Sequence, residues 1–155
     1  MKIPDHLGAK IRMISNSMEQ NINRDITSLD LTCSQAYILR YLTFRAGEVI
    51  YPKDLEKTFD FSHPTISGLL QRLEAKGFIT YQPDPEDRRC KRITMTAKAR
   101  ECHESIAVSM RHSDQILMEG LTPDETATLF SLLDRIILNA VNAGMLCKKE
   151  EPRHD

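Results

Sequence analysis

The chemistry available to this 155-residue chain is that of donors and cations, not of nucleophiles. Ser62, His63, Pro64, Thr65, Ser67, Gln71 and Arg72 crowd into one short stretch, and Arg88, Arg89 and Lys91 follow beyond a proline-punctuated segment. Serine and threonine hydroxyls serve phosphates or bases, glutamine pairs adenine, and arginine forks onto guanine or phosphate. The set therefore suits duplex DNA. Asp87 beside Arg88 and Arg89 opposes a polyanion unless its carboxylate fixes the orientation of a guanidinium, which preorganises the fork. A solubilising turn is the plainer alternative for this tip.

Other chemistries lack their patterns. There is no Ser-His-Asp order, paired catalytic carboxylates, glycine-rich phosphate loop or HExxH, so the chain is not expected to be an enzyme. Cys33, Cys90, Cys102 and Cys147 are widely spaced without a CxxC pair, which suits reduced thiols in the cytoplasm better than a disulfide frame. Cys90 lies among Arg88, Arg89, Lys91 and Arg92, which favour a thiolate, and a thiol-based redox-responsive regulator stays open as an alternative. Cys102, His103 and His112 lack the three- or four-residue spacing that puts ligands on one helix face, so no metal or other cofactor is expected.

Charge is unevenly distributed. The whole chain carries −1, but residues 62–98 carry seven Lys and Arg against four Asp and Glu, a net +3 that leaves −4 elsewhere. A basic surface on an acidic body favours a polyanion at one face only. No apolar run approaches the roughly 20 residues of a membrane span, and the start lacks a secretory h-region, so a cytoplasmic protein without membrane contact is expected.

The elements that must hold these residues follow from periodicity and punctuation. Leu7, Ile11, Ile14, Met18, Ile22, Ile26 and Leu29 recur at helical spacing and predict one long helix over 7–29. Thr32 and Gln35 have capping-box spacing and start a second helix that Gly47 ends. Pro52 opens a short third helix, 53–59. Ser62 reads as the N-cap of a fourth, 63–76, stopped by Gly77. Residues 78–82 and 92–95 read as two strands, and a helix from Thr96 to about Met118 comes next. Thr122-Pro123-Asp124-Glu125 caps a sixth helix running to about Ala143, and the tail from 146 reads as frayed.

Helices joined by a tight turn and followed by a hairpin with a charged tip make a winged helix-turn-helix. The fold expected is mainly α with a small β-hairpin wing. Residues 31–96 form the DNA-binding unit, while 1–30 and 97–145 supply a dimerisation region. In the fourth helix Ile66, Leu69, Leu70 and Leu73 face inward and leave Pro64, Thr65, Ser67, Gly68, Gln71 and Arg72 outward. Gly68 is costly inside a helix and marks either close approach to another surface or tight internal packing. Leu129, Phe130, Leu132, Leu133, Ile136, Ile137, Ala140 and Val141 cover more than one narrow stripe of the sixth helix, so a homodimer is preferred over an internal bundle.

The stretch from Ser62 to Ile79, followed by Asp84-Pro85-Glu86-Asp87-Arg88-Arg89 and Ile93-Thr94-Met95-Thr96, resembles the multiple antibiotic resistance regulator (MarR) family. Leu31-Thr32, Gln35, Leu39 and Leu42 are similar to its second helix. One departure is Ala99, which stands where the family usually carries glycine three residues after Leu-Thr. The resemblance implies a homodimer binding palindromic operator DNA, usually as a repressor. Its recognition helix (63–76) would enter the major groove and its wing (82–92) the minor groove, with Arg89 paired to Asp87. It also implies a small effector, often a phenolic or other lipophilic anion, bound between the dimer helices and the winged domain. Ile14, Met18, Tyr37 and Tyr41 are placed to line such a site, yet serve equally as core, and core is preferred. A winged-helix protein-interaction module without specific DNA binding is the second reading.

Overall fold

The computed structural model describes residues 3–85, 87 and 90–146. Its elements are α1 (Leu7–Asp25), α2 (Cys33–Phe44), α3 (Pro52–Phe59), α4 (His63–Ala75), β1 (Ile79–Pro83), β2 (Lys91–Met95), α5 (Ala97–Glu101), α6 (His103–Met118) and α7 (Pro123–Asn142). The architecture is mainly α with a two-stranded antiparallel wing. No helix among the described residues is long and apolar enough to cross a membrane.

Local chemistry sets most boundaries. The Thr32 side chain accepts from the Gln35 N–H, and the Thr32 N–H donates to Gln35 Oε1 at 3.0 Å, which closes the capping box of α2. Thr122 and Glu125 repeat the arrangement at α7. Pro52 is itself the first residue of α3, one earlier than expected, and Asp54 Oδ2 accepts the Tyr51 N–H at 2.8 Å. Gly77 ends α4 at φ +76°, a conformation that favours glycine.

Two expected helices are divided. The first stops at Asp25, and Thr27–Leu29 form a 3₁₀ turn instead of a last α-helical turn. Polar bonds redirect the chain there: Thr27 Oγ1 donates to the Asn23 carbonyl, Asn23 Oδ1 accepts the Cys33 N–H at 2.6 Å, and Asp30 takes a left-handed φ of 55°. The expected helix over 97–118 is broken at Cys102. Its first segment belongs to the wing, with Arg100 donating to the Met95 carbonyl and Lys98 to that of Lys76, while α6 packs on α1 and α2. Two packing directions cannot be served by one straight rod. The strands also extend one residue past expectation, to Pro83 in β1 and back to Lys91 in β2, and Phe78 precedes β1 as a core residue.

One core unites the winged portion. Leu55 of α3, Ile66, Leu70 and Leu73 of α4, Ile38 and Leu39 of α2, and Phe78 and Ile79 are essentially inaccessible, and Ile22 and Ile106 carry the core toward α1 and α6. The wing pairs Ile79 with Met95 through to Pro83 with Lys91. Its base is held on both sides: the Ile93 N–H donates to the Ile50 carbonyl at 2.8 Å, and the Thr96 N–H donates to that of Phe78 at 3.0 Å. By contrast, α7 has no buried residue, and Phe130, Ile137 and Leu138 remain 53%, 51% and 59% exposed.

Candidate nucleic-acid interface

The interface is built on the outer side of α4. Ile66, Leu69, Leu70 and Leu73 point into the core, and helical geometry then turns Ser62, His63, Pro64, Thr65, Ser67, Gln71 and Arg72 outward, all of them exposed. Ser62 occupies the N-cap position with extended backbone, but its hydroxyl does not cap the helix. It pairs with Thr65 Oγ1 at 2.8 Å, a correction to the capping role expected of it. His63 Nδ1 lies 2.6 Å from Glu56 Oε1, which ties the start of α4 to α3.

Of the two readings of Gly68, tight internal packing is removed. A Cβ built there would meet nothing within 4 Å, so internal packing does not require the glycine. Gly68→Ala is therefore expected to raise stability by about 0.5–1 kcal/mol, since alanine lowers the entropic cost of the helix without a clash. Thermal or urea unfolding of the two proteins at equal concentration checks this.

On the wing, Lys91 is exposed at the start of β2, opposite Pro83. Arg88 and Arg89 lie outside the described residues. Asp87, expected to orient an arginine, has its carboxylate 3.7 Å from the Cys90 thiol, and its carbonyl accepts the Cys90 N–H at 2.8 Å. Sequence reasoning missed the residue beneath. Asp84, counted only as an opposing charge, is buried at 7% exposure. Its carboxylate accepts the Tyr51 hydroxyl and, at 3.3 Å, the Asp87 N–H, while its own N–H donates to the Cys90 carbonyl at 3.0 Å. A carboxylate between two prolines looked like loop composition; only the approach of Tyr51 from the segment before α3 reveals its role. Asp84 is a positioning residue for the tip.

A second concavity sits behind this face. An apolar pocket of about 600 Å³ lies between α1, α2, α6 and α7 and the Phe59–Phe61 turn. Ile14, Met18 and Tyr37 line it and are not enclosed as core; Ile14 is 49% exposed. The physical reason is that α7 stands off the winged body and leaves their outer sides uncovered. Tyr41 does serve as core, packing edge-on to Phe59 at 5.8 Å. Cys33 and Tyr37 meet at the pocket wall. Burial chiefly, with the Glu19 carboxylate adding to it and the Tyr37 contact opposing, pushes the Cys33 thiol up to about 11.

A helix with an outward donor face, a hairpin flanking it and a basic balance over both define a winged helix-turn-helix regulator. Comparison with known proteins narrows the class. The MarR family profile matches residues 29–89, covering α2 to the wing. The multiple antibiotic resistance protein MarR of Salmonella typhimurium is 30% identical over 135 residues, spanning 84% of this chain and 90% of that protein. This chain belongs to the MarR family and is a transcriptional regulator, as its relatives are. Among solved structures, the S. aureus MepR–DNA complex superposes with a TM-score of 0.79 at 25% identity, covering 86% of this chain and 96% of that one. A mutant E. coli MarR complexed with operator DNA gives 0.74 at 28% identity, covering 84% and 92%.

Proposed function

We propose that the chain is a homodimeric repressor that binds palindromic operator DNA, with α4 (recognition segment 63–76) in the major groove and the wing (82–92) in the minor groove. The observation that carries this reading is the outer face of α4: hydroxyls, Gln71 and Arg72 at the surface, flanking a glycine that opens onto empty space. The operator-bound MarR and DNA-bound MepR structures support it by analogy of fold and sequence. In this reading Ser62, His63 and Lys91 meet phosphates, Thr65, Ser67 and Gln71 meet base edges, Arg72 serves either, and Arg88 and Arg89 enter the minor groove with Asp87 holding the guanidinium of Arg89.

The dimer is supported by α7, whose apolar side chains remain exposed along its length in the single chain. Residues 1–30 and 97–145 then form the dimerisation region around the winged unit, 31–96. A two-fold axis would set two recognition helices one DNA turn, ~34 Å, apart. Occupying a promoter excludes polymerase, and a small lipophilic effector in the pocket behind α1 would change the spacing of the helices and release the operator.

The test uses DNA fragments that the protein retains from its own genome. Affinity should fall steeply with salt, because phosphate contacts release counterions. Arg89→Ala should weaken every operator variant, whereas Gln71→Ala or Thr65→Ala should cost about 1–3 kcal/mol and relax preference at single base positions. Gly68→Ala, although more stable, should bind more weakly, because its methyl group stands where the groove floor approaches. Arg89→Ala binding at wild-type strength, or a monomer at working concentrations, would overturn the proposal.

A further inference from the structure

The pocket behind α1 has a charge character that its apolar walls conceal. Ile14, Met18, Leu117 and Phe130 supply aliphatic and aromatic surface, and Tyr37 and Phe61 add rings. Two charged residues reach it, Glu19 from α1 and Asp114 from α6, and both are carboxylates. Among the described residues no lysine, arginine or histidine lines it. Arg40, the cation that acts on Tyr37, stacks its guanidinium over Phe44 at 4.8 Å and does not line the pocket. The field of the two carboxylates is felt by the groups between them: Glu19 raises the Cys33 thiol, and Asp114 raises the Tyr37 phenol after burial and Cys33.

An organic anion placed here would meet two like charges. A lipophilic cation would meet the reverse, with two carboxylates favourable and an aromatic-rich wall suited to its body. We propose that this pocket takes a lipophilic organic cation, an apolar body around an ammonium or phosphonium centre, and disfavours anions of the same size. The anionic effector implied by family resemblance is thus replaced, in this chain, by a ligand of opposite charge. The inference rests on the effector reading above for its consequence at the operator, but the binding step stands separately.

Tetraphenylphosphonium and tetraphenylborate, nearly identical in shape and opposite in charge, separate the alternatives by equilibrium dialysis against the full-length protein without DNA. The cation should bind saturably and about tenfold tighter than the anion. Glu19→Gln and Asp114→Asn should each weaken the cation about two- to fivefold, the range for exposed charge pairs, and the double variant should lose the preference. These exposed, near-isosteric changes should leave the helical circular dichroism unchanged. Equal or tighter binding of the anion, absence of saturable binding by either ion, or a preference that survives double neutralisation overturns the inference. A cation that binds with the expected charge preference yet leaves operator affinity unchanged supports the site's selectivity and removes effector release instead.

Discussion

Phe78→Ala should cost about 3–5 kcal/mol of stability, the range for deleting a fully buried aromatic ring, against a typical total of about 5–15 kcal/mol. Phe78 is 1% exposed and sits where α4 gives way to β1. Its ring carries the Lys98 ammonium at 4.4 Å from the centroid, and its carbonyl accepts both the N–H and the hydroxyl of Thr96. The side chain therefore packs the joint between α4 and the wing while its backbone holds the start of α5. Urea unfolding at fixed protein concentration, which the proposed dimer requires for a fair comparison, should show a lower midpoint with an unchanged slope. A loss below about 1 kcal/mol would mean that this joint tolerates a cavity and is not the centre of the core.

Asp84→Ala should weaken operator binding by about tenfold or more while lowering stability by only about 1–3 kcal/mol, the cost of disrupting a buried hydrogen-bonded group. Asp84 joins the Tyr51 hydroxyl to the Asp87 N–H, so its loss frees the tip that carries Arg88 and Arg89 without removing a cation. Tyr51→Phe should reproduce part of the defect, and Asp84→Asn, which keeps an acceptor oxygen, should recover part of the affinity. Fluorescence anisotropy at two salt concentrations distinguishes this from a phosphate contact: a positioning residue changes affinity with little change in salt slope, because the cation count is unaltered. Wild-type affinity for Asp84→Ala would remove its assigned role.

Much of this architecture is legible in the sequence because local chemistry and long-range packing agree. Thr32 with Gln35 and Thr122 with Glu125 cap the helices that their spacing marks, and the inward set of α4 is the apolar stripe that spacing picks out. What escapes is set by contacts across the chain. Nothing between Ala97 and Met118 is a glycine or proline, so the break at Cys102 has no local sign; it arises because Ala99 is buried against the wing while Ile106 and Met110 belong to the packing of α6. Ser62 has the right residue type at the right position, yet Thr65 offers its hydroxyl a different partner. Asp84 reads as a solvated loop acid until Tyr51 is brought to it. Ile14, Met18 and Tyr37 have core-like side chains, and their half-open setting depends on how far α7 stands away.

The double anchorage of the hairpin, at Ile50 on one flank and Phe78 on the other, has an evolutionary consequence. Because the strands are fixed at their root, changes at the distal bend should cost the rest of the molecule little stability. In α4 only the outward positions share that freedom, since Ile66, Leu70 and Leu73 between them are buried. Descendants of this chain should therefore tune overall affinity by drift at the bend, and change base preference at the outward positions of the helix.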